Sequence, residues 1–287
     1  MSAPKLDSPP LSERISDREF RDIQDFMMSQ YGIHFSDKKQ TLIVGRLQLY
    51  IEKLGFQDYT TYLRHVKQDT TGQAANELIN RLTTNHTFFN REAAHFEFLM
   101  STVIPQIVSE LARGQQLDLR LWCAGCSSGE ESYFLAMLLM EYFGHDYQRW
   151  TAGVLATDIS TRVLEIAAKG VYSAERFQAL PDFMERKYFQ KLPDGQFQAN
   201  TKLRREVTYR CFNLMDNQHF KKPFAVIFCR NVMIYFNRPT RLALVQRFYE
   251  STAPGGYLFI GHSETLGRGA DCPYTYVKPG VYCKRGI

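Results

Sequence analysis

Leu117-Asp-Leu-Arg-Leu-Trp-Cys-Ala-Gly-Cys-Ser-Ser-Gly-Glu-Glu131 decides the fold. Its first six residues, Leu117 to Trp122, read as a strand. Cys123 to Gly129 is a turn built of small residues. Glu130 opens an apolar helix that runs to about Phe143. Strand, glycine turn and helix in that order begin a doubly wound α/β unit, in which ligands approach the backbone at the helix N-terminus. The same rhythm continues downstream. Val154–Ala156 is a strand ending at Thr157-Asp158, before a helix over Thr161–Lys169. Val207–Phe212 and Phe224–Cys229 are further strands. Pro239–Ser251 is a helix, Pro254-Gly-Gly256 turns the chain, and Tyr257–Ile260 is the next strand. Tyr274–Val277 and Val281–Cys283 close as a hairpin. Near-continuous apolar strands alternating with helices predict a mostly parallel sheet covered on both faces.

Upstream the period is helical. Phe20, Ile23, Phe26 and Met27 share a face of a helix over Asp17–Gln30, with Ser16 and Glu19 spaced as a capping box. A second helix runs from Asp37 to Leu54 and stops at Gly55, and shorter ones cover Tyr59–Lys67 and Gly72–Leu82. The domain division is therefore a tail over 1–14, a helical domain over 15–85 and an α/β domain over 86–287. Residues 171–205 break the rhythm. Lys187–Leu192 and Gln196–Ala199 flank Pro-Asp-Gly195, an antiparallel hairpin inserted in the larger domain.

Composition narrows the function. The chain has 287 residues, 44% hydrophobic and 23% charged, which excludes disorder and coiled coil. Its longest apolar run, Phe134–Met140, is far short of the ~20 residues of a membrane span, and no export signal precedes it. A cytoplasmic protein with no membrane insertion and six reduced cysteines is expected. Neither the Cys123–Cys126 pair nor the histidines show metal-ligand spacing, so no metal is expected. The net charge is −5 over 86–160 and +5 over each of 161–222 and 223–287. The densest basic stretch, Lys202-Leu-Arg204-Arg205, is too thin for a nucleic-acid binder.

The glycine turn lacks the lysine of a phosphate loop. Glu130 and Glu131 would repel a pyrophosphate and favour a cation. Asp158, ending the next strand, can accept hydrogen bonds from ribose hydroxyls. A cationic adenosine ligand fits both, and S-adenosylmethionine, with its sulfonium, is the natural candidate; a capped helix with a structural Asp would look the same. Gly125-Cys-Ser127-Ser-Gly129 also fits a nucleophile elbow, so a serine hydrolase using Ser127 with His262 or His219 stands second, without the usual oxyanion loop.

Two further segments carry more information. Thr83-Thr-Asn85-His-Thr87-Phe-Phe-Asn90-Arg91-Glu92 is polar yet aromatic, and Cys229-Arg230-Asn231-Val-Met-Ile-Tyr235-Phe236 follows the fourth strand, with Gly261-His-Ser-Glu264 after the fifth. With the Gly129-Glu130-Glu131 turn, these segments, in this order, closely resemble the bacterial chemotaxis receptor glutamate methyltransferases, the CheR family, over about residues 15–284. The resemblance implies a small all-α N-terminal domain, a class I SAM-dependent methyltransferase domain of Rossmann-like, mostly parallel architecture, and an inserted antiparallel β-subdomain. It implies methyl transfer from S-adenosylmethionine, leaving S-adenosylhomocysteine, to glutamate carboxylates on cytoplasmic helices of methyl-accepting chemoreceptors.

By the same resemblance Asn85, Thr87, Arg91, Glu130, Asp158, Asn213, Leu214, Arg230 and Asn231 would bind the cofactor. Arg91 and Tyr235 would border the reacting carboxylate as catalytic residues. The chain departs from the family pattern where Asn90 replaces an aromatic and where Lys38, Lys39, Arg46 and Lys53 are a diluted version of a basic second helix. The tight Pro-Asp-Gly195 turn argues against a carboxy-terminal receptor tether, and a monomer is expected. A non-catalytic receptor-docking module is the remaining alternative; it would be expected to lose Glu130, Asp158, Arg230 and Asn231, all present.

Overall fold

The computed structural model describes residues 15–217, 220–267 and 272–285. The tail expected over 1–14 lies outside them. Two compact units divide between Thr84 and Asn85.

The first unit is four helices: α1 (Asp17–Tyr31), α2 (Gln40–Lys53), α3 (Tyr59–Gln68) and α4 (Gln73–Leu82). The Ser16 hydroxyl accepts from the Glu19 N–H at 3.3 Å and Glu19 returns the bond to the Ser16 N–H at 3.0 Å, a closed capping box. Gly32, at φ 67°, ends the helix in the left-handed region. Phe20, Ile23 and Met27 of α1, Ile43, Leu47 and Ile51 of α2, and Leu78, Ile79 and Leu82 of α4 are all buried and belong to the core of the unit. Lys38 and Lys39 sit on a 3-10 turn before α2, not on it. Arg46 is committed inside the unit. Its Nη1 donates to the Leu82 and Thr83 carbonyls at 2.7 and 2.9 Å, and its Nη2 to Thr84 Oγ1 at 2.7 Å, capping the end of α4. Of the basic residues ascribed to the second helix, only Lys38, Lys39 and Lys53 present exposed charge.

The second unit opens with α5 (Ala93–Phe98), a π-helical turn over Leu99–Val103 and α6 (Ile104–Arg113). Sequence periodicity missed these helices. Then come β1 (Asp118–Ala124), α7 (Glu130–Phe143), β2 (Thr151–Asp158) and α8 (Thr161–Lys169). The insertion holds β3 (Val171–Tyr172), α9 (Asp182–Tyr188), β4 (Phe189–Lys191), β5 (Phe197–Ala199) and α10 (Thr201–Arg205). The chain returns through β6 (Val207–Cys211), β7 (Phe224–Cys229), α11 (Arg238–Ser251), β8 (Thr252–Ile260), β9 (Thr275–Lys278) and β10 (Val281–Cys283).

The main sheet runs β6-β2-β1-β7-β8-β10-β9. The first five strands are parallel, β10 is antiparallel to β8, and β9 is antiparallel to β10. Leu119, Leu121 and Cys123 of β1 join one apolar cluster and Trp122 and Ala124 the other, so both faces are buried. This is the class I methyltransferase sheet. The inserted sheet runs β3-β5-β4, antiparallel throughout. It has one strand more than the expected hairpin, and the segment read as a strand from Lys187 is helical through Tyr188. The turn expected at Pro254–Gly256 lies within β8. Gly255, at φ 74°, donates to the Lys284 carbonyl at 2.8 Å and keeps the ladder going, where the register against β7 jumps. Among the described residues no helix is long and apolar enough to cross a membrane.

Candidate cofactor site

Strand β1 pairs with β2 on one side and β7 on the other, so the strand order reverses there. The carboxyl ends of β1 and β7 open onto a switch point, where doubly wound sheets bind ligands. Turn 125–129 follows β1 and Arg230-Asn231 follows β7.

The turn is held in an unusual shape. Gly125 (φ 86°), Ser127 (φ 49°) and Gly129 (φ 97°) are all left-handed. A Cβ on Gly125 would lie 2.4 Å from Val232 Cγ2, so glycine is required by space as well as by φ. The Asp158 carboxylate accepts from the Ser127 N–H at 2.8 Å and the Ser160 N–H at 2.9 Å. Asp158 is thus a scaffold of the turn, and ribose hydroxyls would meet its remaining lone pairs. Burial pushes its pKa up against the pull of those N–H groups. Tyr172 donates to the Ser128 carbonyl at 2.7 Å.

Glu130 is fully buried. Its Oε2 accepts from Ser128 Oγ at 2.7 Å, while Oε1 has no hydrogen-bond partner among the described residues. Burial raises its pKa, offset in part by Ser128, by its own N–H and by Arg176. The nearest cation, Arg176 Nη1, is 3.5 Å from Oε1 and also donates to the Thr87 carbonyl. A buried carboxylate oxygen with an open lone pair at a helix N-terminus is where a ligand ammonium would dock. The donor set therefore fits the cationic amino-acid part of S-adenosylmethionine.

Across the crevice Arg230, buried, is the hub of an ion network. Its Nη1 pairs with Glu131 at 2.7 Å and its Nη2 with Glu92 at 3.0 Å; Nη2 also donates to the Arg91 carbonyl. Burial acts to raise the Glu92 pKa, but Arg230 outweighs it and the net shift is downward. Arg91 Nη1 donates to the His86 carbonyl at 2.9 Å. Asn231 sits at φ 58° and donates from Nδ2 to Glu92 at 3.5 Å. Glu264 clamps this loop. It accepts from the Asn231, Ile234 and Gly261 N–H groups at 2.9, 3.1 and 2.7 Å. Tyr235 ends the 3-10 turn that Glu264 anchors.

The sequence-predicted residues fall into three groups. Asn85, whose carbonyl accepts from Ser127 Oγ at 3.3 Å, joins Thr87, Glu130 and Asp158 around the glycine turn. Arg91, Arg230 and Asn231 are tied together through Glu92, with Tyr235 on the same loop as Asn231. Asn213 and Leu214 follow β6, where the Phe212 N–H donates to the Asp158 carbonyl at 3.0 Å. Asn213 Oδ1 accepts from the Met215 N–H at 3.0 Å, and the Leu214 carbonyl accepts from Arg247 Nη2 at 2.8 Å. Sequence reading missed Arg176, Glu264 and the role of Glu92. Glu92 and Glu264 end two of the quoted segments, while Arg176 lies in none of them.

Asn90 explains its own departure from the family pattern. It sits at φ 58°, a region asparagine tolerates, and donates to the Ala179 carbonyl at 2.9 Å. The preceding Phe89 packs against Tyr172, Phe177 and Phe189 with centroids 5.0–5.3 Å away. The hydrolase reading finds no support. Ser127 spends its hydroxyl proton on Asn85, His262 lies beside Glu92 and His95, and His219 is outside the described residues.

Residues 18–83 match the CheR methyltransferase all-alpha domain, and residues 85–278 match the CheR methyltransferase SAM binding domain. A chemotaxis protein methyltransferase of Borreliella burgdorferi is 38% identical over 275 residues, covering 96% of this chain and 96% of that protein. Chemotaxis protein methyltransferase 2 of Vibrio cholerae is 35% identical over 256 residues, 88% of each chain. The Escherichia coli chemotaxis protein methyltransferase is 35% identical over 262 residues, 89% of this chain and 88% of that one. With both domains matched in order around a class I sheet, the chain belongs to the CheR methyltransferase family and is a SAM-dependent methyltransferase.

Proposed function

We propose that this chain esterifies glutamate side chains on the cytoplasmic helices of chemoreceptors, as a protein-glutamate O-methyltransferase. The observation that carries the reading is the open carboxylate oxygen of Glu130 at the switch point, beside a glycine turn held by Asp158. The names of the similar proteins, all chemotaxis methyltransferases, supply the substrate class.

S-adenosylmethionine supplies a methyl group made electrophilic by its sulfonium. Glu130 would hold its ammonium, Asp158 its ribose, and Asn213 and Leu214 its adenine. Asn85, Thr87, Arg230 and Asn231 would complete the wall. A substrate glutamate has a solution pKa near 4.3 and is already ionised at neutral pH, so no general base is required. The task left to the protein is to orient that carboxylate, worth up to ~7–11 kcal/mol in favourable intramolecular cases. Arg91 is suited to grip one oxygen and leave the other free, with Tyr235 bordering it. Anion and sulfonium lose their charges together, so a partly dry site favours the reaction, and the neutral ester binds Arg91 less well than the acid did. We expect no receptor-tail tether. The turn before β5 is closed by Leu192 N–H to Gln196 O at 2.7 Å and Gly195 N–H to Leu192 O at 3.0 Å, leaving no extended loop there.

The test is transfer of tritiated methyl from S-adenosylmethionine to membranes carrying defined receptors. Label released as volatile methanol by mild base identifies carboxyl esters. Base-stable label, or none, refutes the proposal.

A further inference from the structure

Glu92 and His95, three residues apart at the start of α5, meet the distant His262 beside Arg230. Each offers one ligand atom, and these atoms lie within 4.8 Å of one another. We propose that they form a binding site for one divalent transition-metal ion of the zinc class, next to the cofactor-site residues Arg230 and Asn231 that Glu92 also contacts.

The tautomer of His95 is fixed by its surroundings. Its Nε2 lies 3.3 Å from the Pro279 carbonyl oxygen, which can only accept, so that nitrogen carries the proton. Nδ1 is then a bare lone pair. It is buried, has no hydrogen-bond partner among the described residues, and faces Glu92 Oε2 at 3.4 Å. Glu92 Oε2 already accepts from Arg230 and from the His262 N–H at 3.1 Å, so the open lone pair is that of Nδ1, and a cation between the two atoms would satisfy it. A ligating imidazole whose other nitrogen donates to a backbone carbonyl is also the usual outer shell of a metal-bound histidine. Gly280 presses on that ring, since a Cβ there would lie 2.6 Å from Nε2.

The spacing suits a small ion. Zinc bound at about 2.0–2.2 Å places tetrahedral ligands roughly 3.3–3.5 Å apart. Glu92 Oε2 and His95 Nδ1 already stand at 3.4 Å. Glu92 Oε2 and His262 Nε2 are at 4.0 Å, and the His262 side chain, 49% exposed, is free to close the difference and gives the ion a path from solvent. Charge also favours a cation, because Glu92 and Glu131 share the single guanidinium of Arg230. Two imidazoles and one carboxylate select zinc, copper, nickel or cobalt over magnesium or calcium, which prefer oxygen. The rival occupant of the gap is a second proton on His95, and a site filled that way takes no metal.

The experiment is calorimetric titration of Zn²⁺ into the tag-free, metal-stripped full chain, with Co²⁺ absorption as a second readout. One ion per chain is expected. His262→Ala and His95→Asn should each weaken binding about tenfold or more, with exposed His34→Ala unchanged. Absence of stoichiometric binding, unchanged affinity in His262→Ala, or an equal loss in His34→Ala overturns the proposal. So does an intense thiolate-to-cobalt band, which would put the ion on a cysteine. Should His95→Asn fail to fold in circular dichroism, the solvent-facing His262→Ala decides alone.

Discussion

Glu130→Gln keeps the shape of the side chain and removes one charge from the place where the cofactor ammonium is proposed to bind. The wild-type carboxylate is fully buried, takes one hydrogen bond from Ser128 at 2.7 Å, and leaves Oε1 open. A hydrogen bond to a charged partner contributes about 1.5–3 kcal/mol. At about 1.4 kcal/mol per tenfold, affinity for S-adenosylhomocysteine should fall roughly 10- to 150-fold. Stability of the unliganded protein should move the other way. Burial holds the Glu130 pKa above its unfolded value, so the ionised form is penalised in the folded state at neutral pH. That penalty is present above the folded pKa and is relieved as pH falls through it. The variant should therefore melt no lower than wild type at neutral pH, and the wild type should lose its disadvantage in mildly acid buffer. Cofactor affinity of the wild type should fall over the same acid interval. Calorimetry with S-adenosylhomocysteine and thermal melts, both run across that interval, measure the two effects. Affinity within twofold of wild type would show Glu130 to be a buried acid with no part in ligand binding, and would remove the main support for the cofactor's orientation.

Gly125→Ala adds a methyl 2.4 Å from Val232 Cγ2 at φ 86°, and should cost about 1–3 kcal/mol in denaturant unfolding with loss of S-adenosylhomocysteine binding. Unchanged stability would show that the turn is not rigid. Glu264→Gln sets an amide NH₂ against backbone N–H donors and should destabilise by about 1–3 kcal/mol while lowering methyl transfer; normal turnover would reject its role as the clamp of the Asn231 loop. Arg46→Ala frees the α4 carbonyls and should cost about 1.5–3 kcal/mol in chemical denaturation; no change would mean that solvent caps that end as well. Arg91→Ala should retain S-adenosylhomocysteine affinity within about tenfold, a loss of ~1.4 kcal/mol or less, yet remove most methyl transfer. Equal losses in both would make Arg91 chiefly a cofactor ligand.

Strand β7 and the end of β8 could be read from sequence because each is a short apolar run, and the glycine turn because small residues followed by two acids have few other uses. Other features depend on contacts between distant segments and left no local trace. Arg176 approaches Glu130 from the insertion, 46 residues on. Arg46 looks like a surface cation and caps a helix instead. The helices over Ala93–Arg113 contain Pro105. It falls in the first turn of α6, where the missing N–H has no intrahelical partner to lose.

The least readable property of the site is its strain. Among the described residues five non-glycine positions have positive φ, and four of them, Asn90, Glu92, Ser127 and Asn231, lie in the segments that build the candidate site. Asparagine enters the left-handed region readily, but serine and glutamate do not, and nothing beside them in sequence announces the conformation. What holds them is remote. Asp158 grips the Ser127 N–H from the next strand, Glu264 grips the Asn231 N–H from β8's far end, and Arg230 holds the Glu92 carboxylate and the Arg91 carbonyl. Strained residues cost of order 1–3 kcal/mol each and persist only where their surroundings over-determine them. Asp158 and Arg230, which the motifs mark as ligand-binding, thus have a second task, fixing the backbone before any ligand arrives. Substituting them will lower affinity partly by releasing that backbone, so only variants that keep the clamp and alter the charge, as Glu130→Gln does, can separate the two contributions.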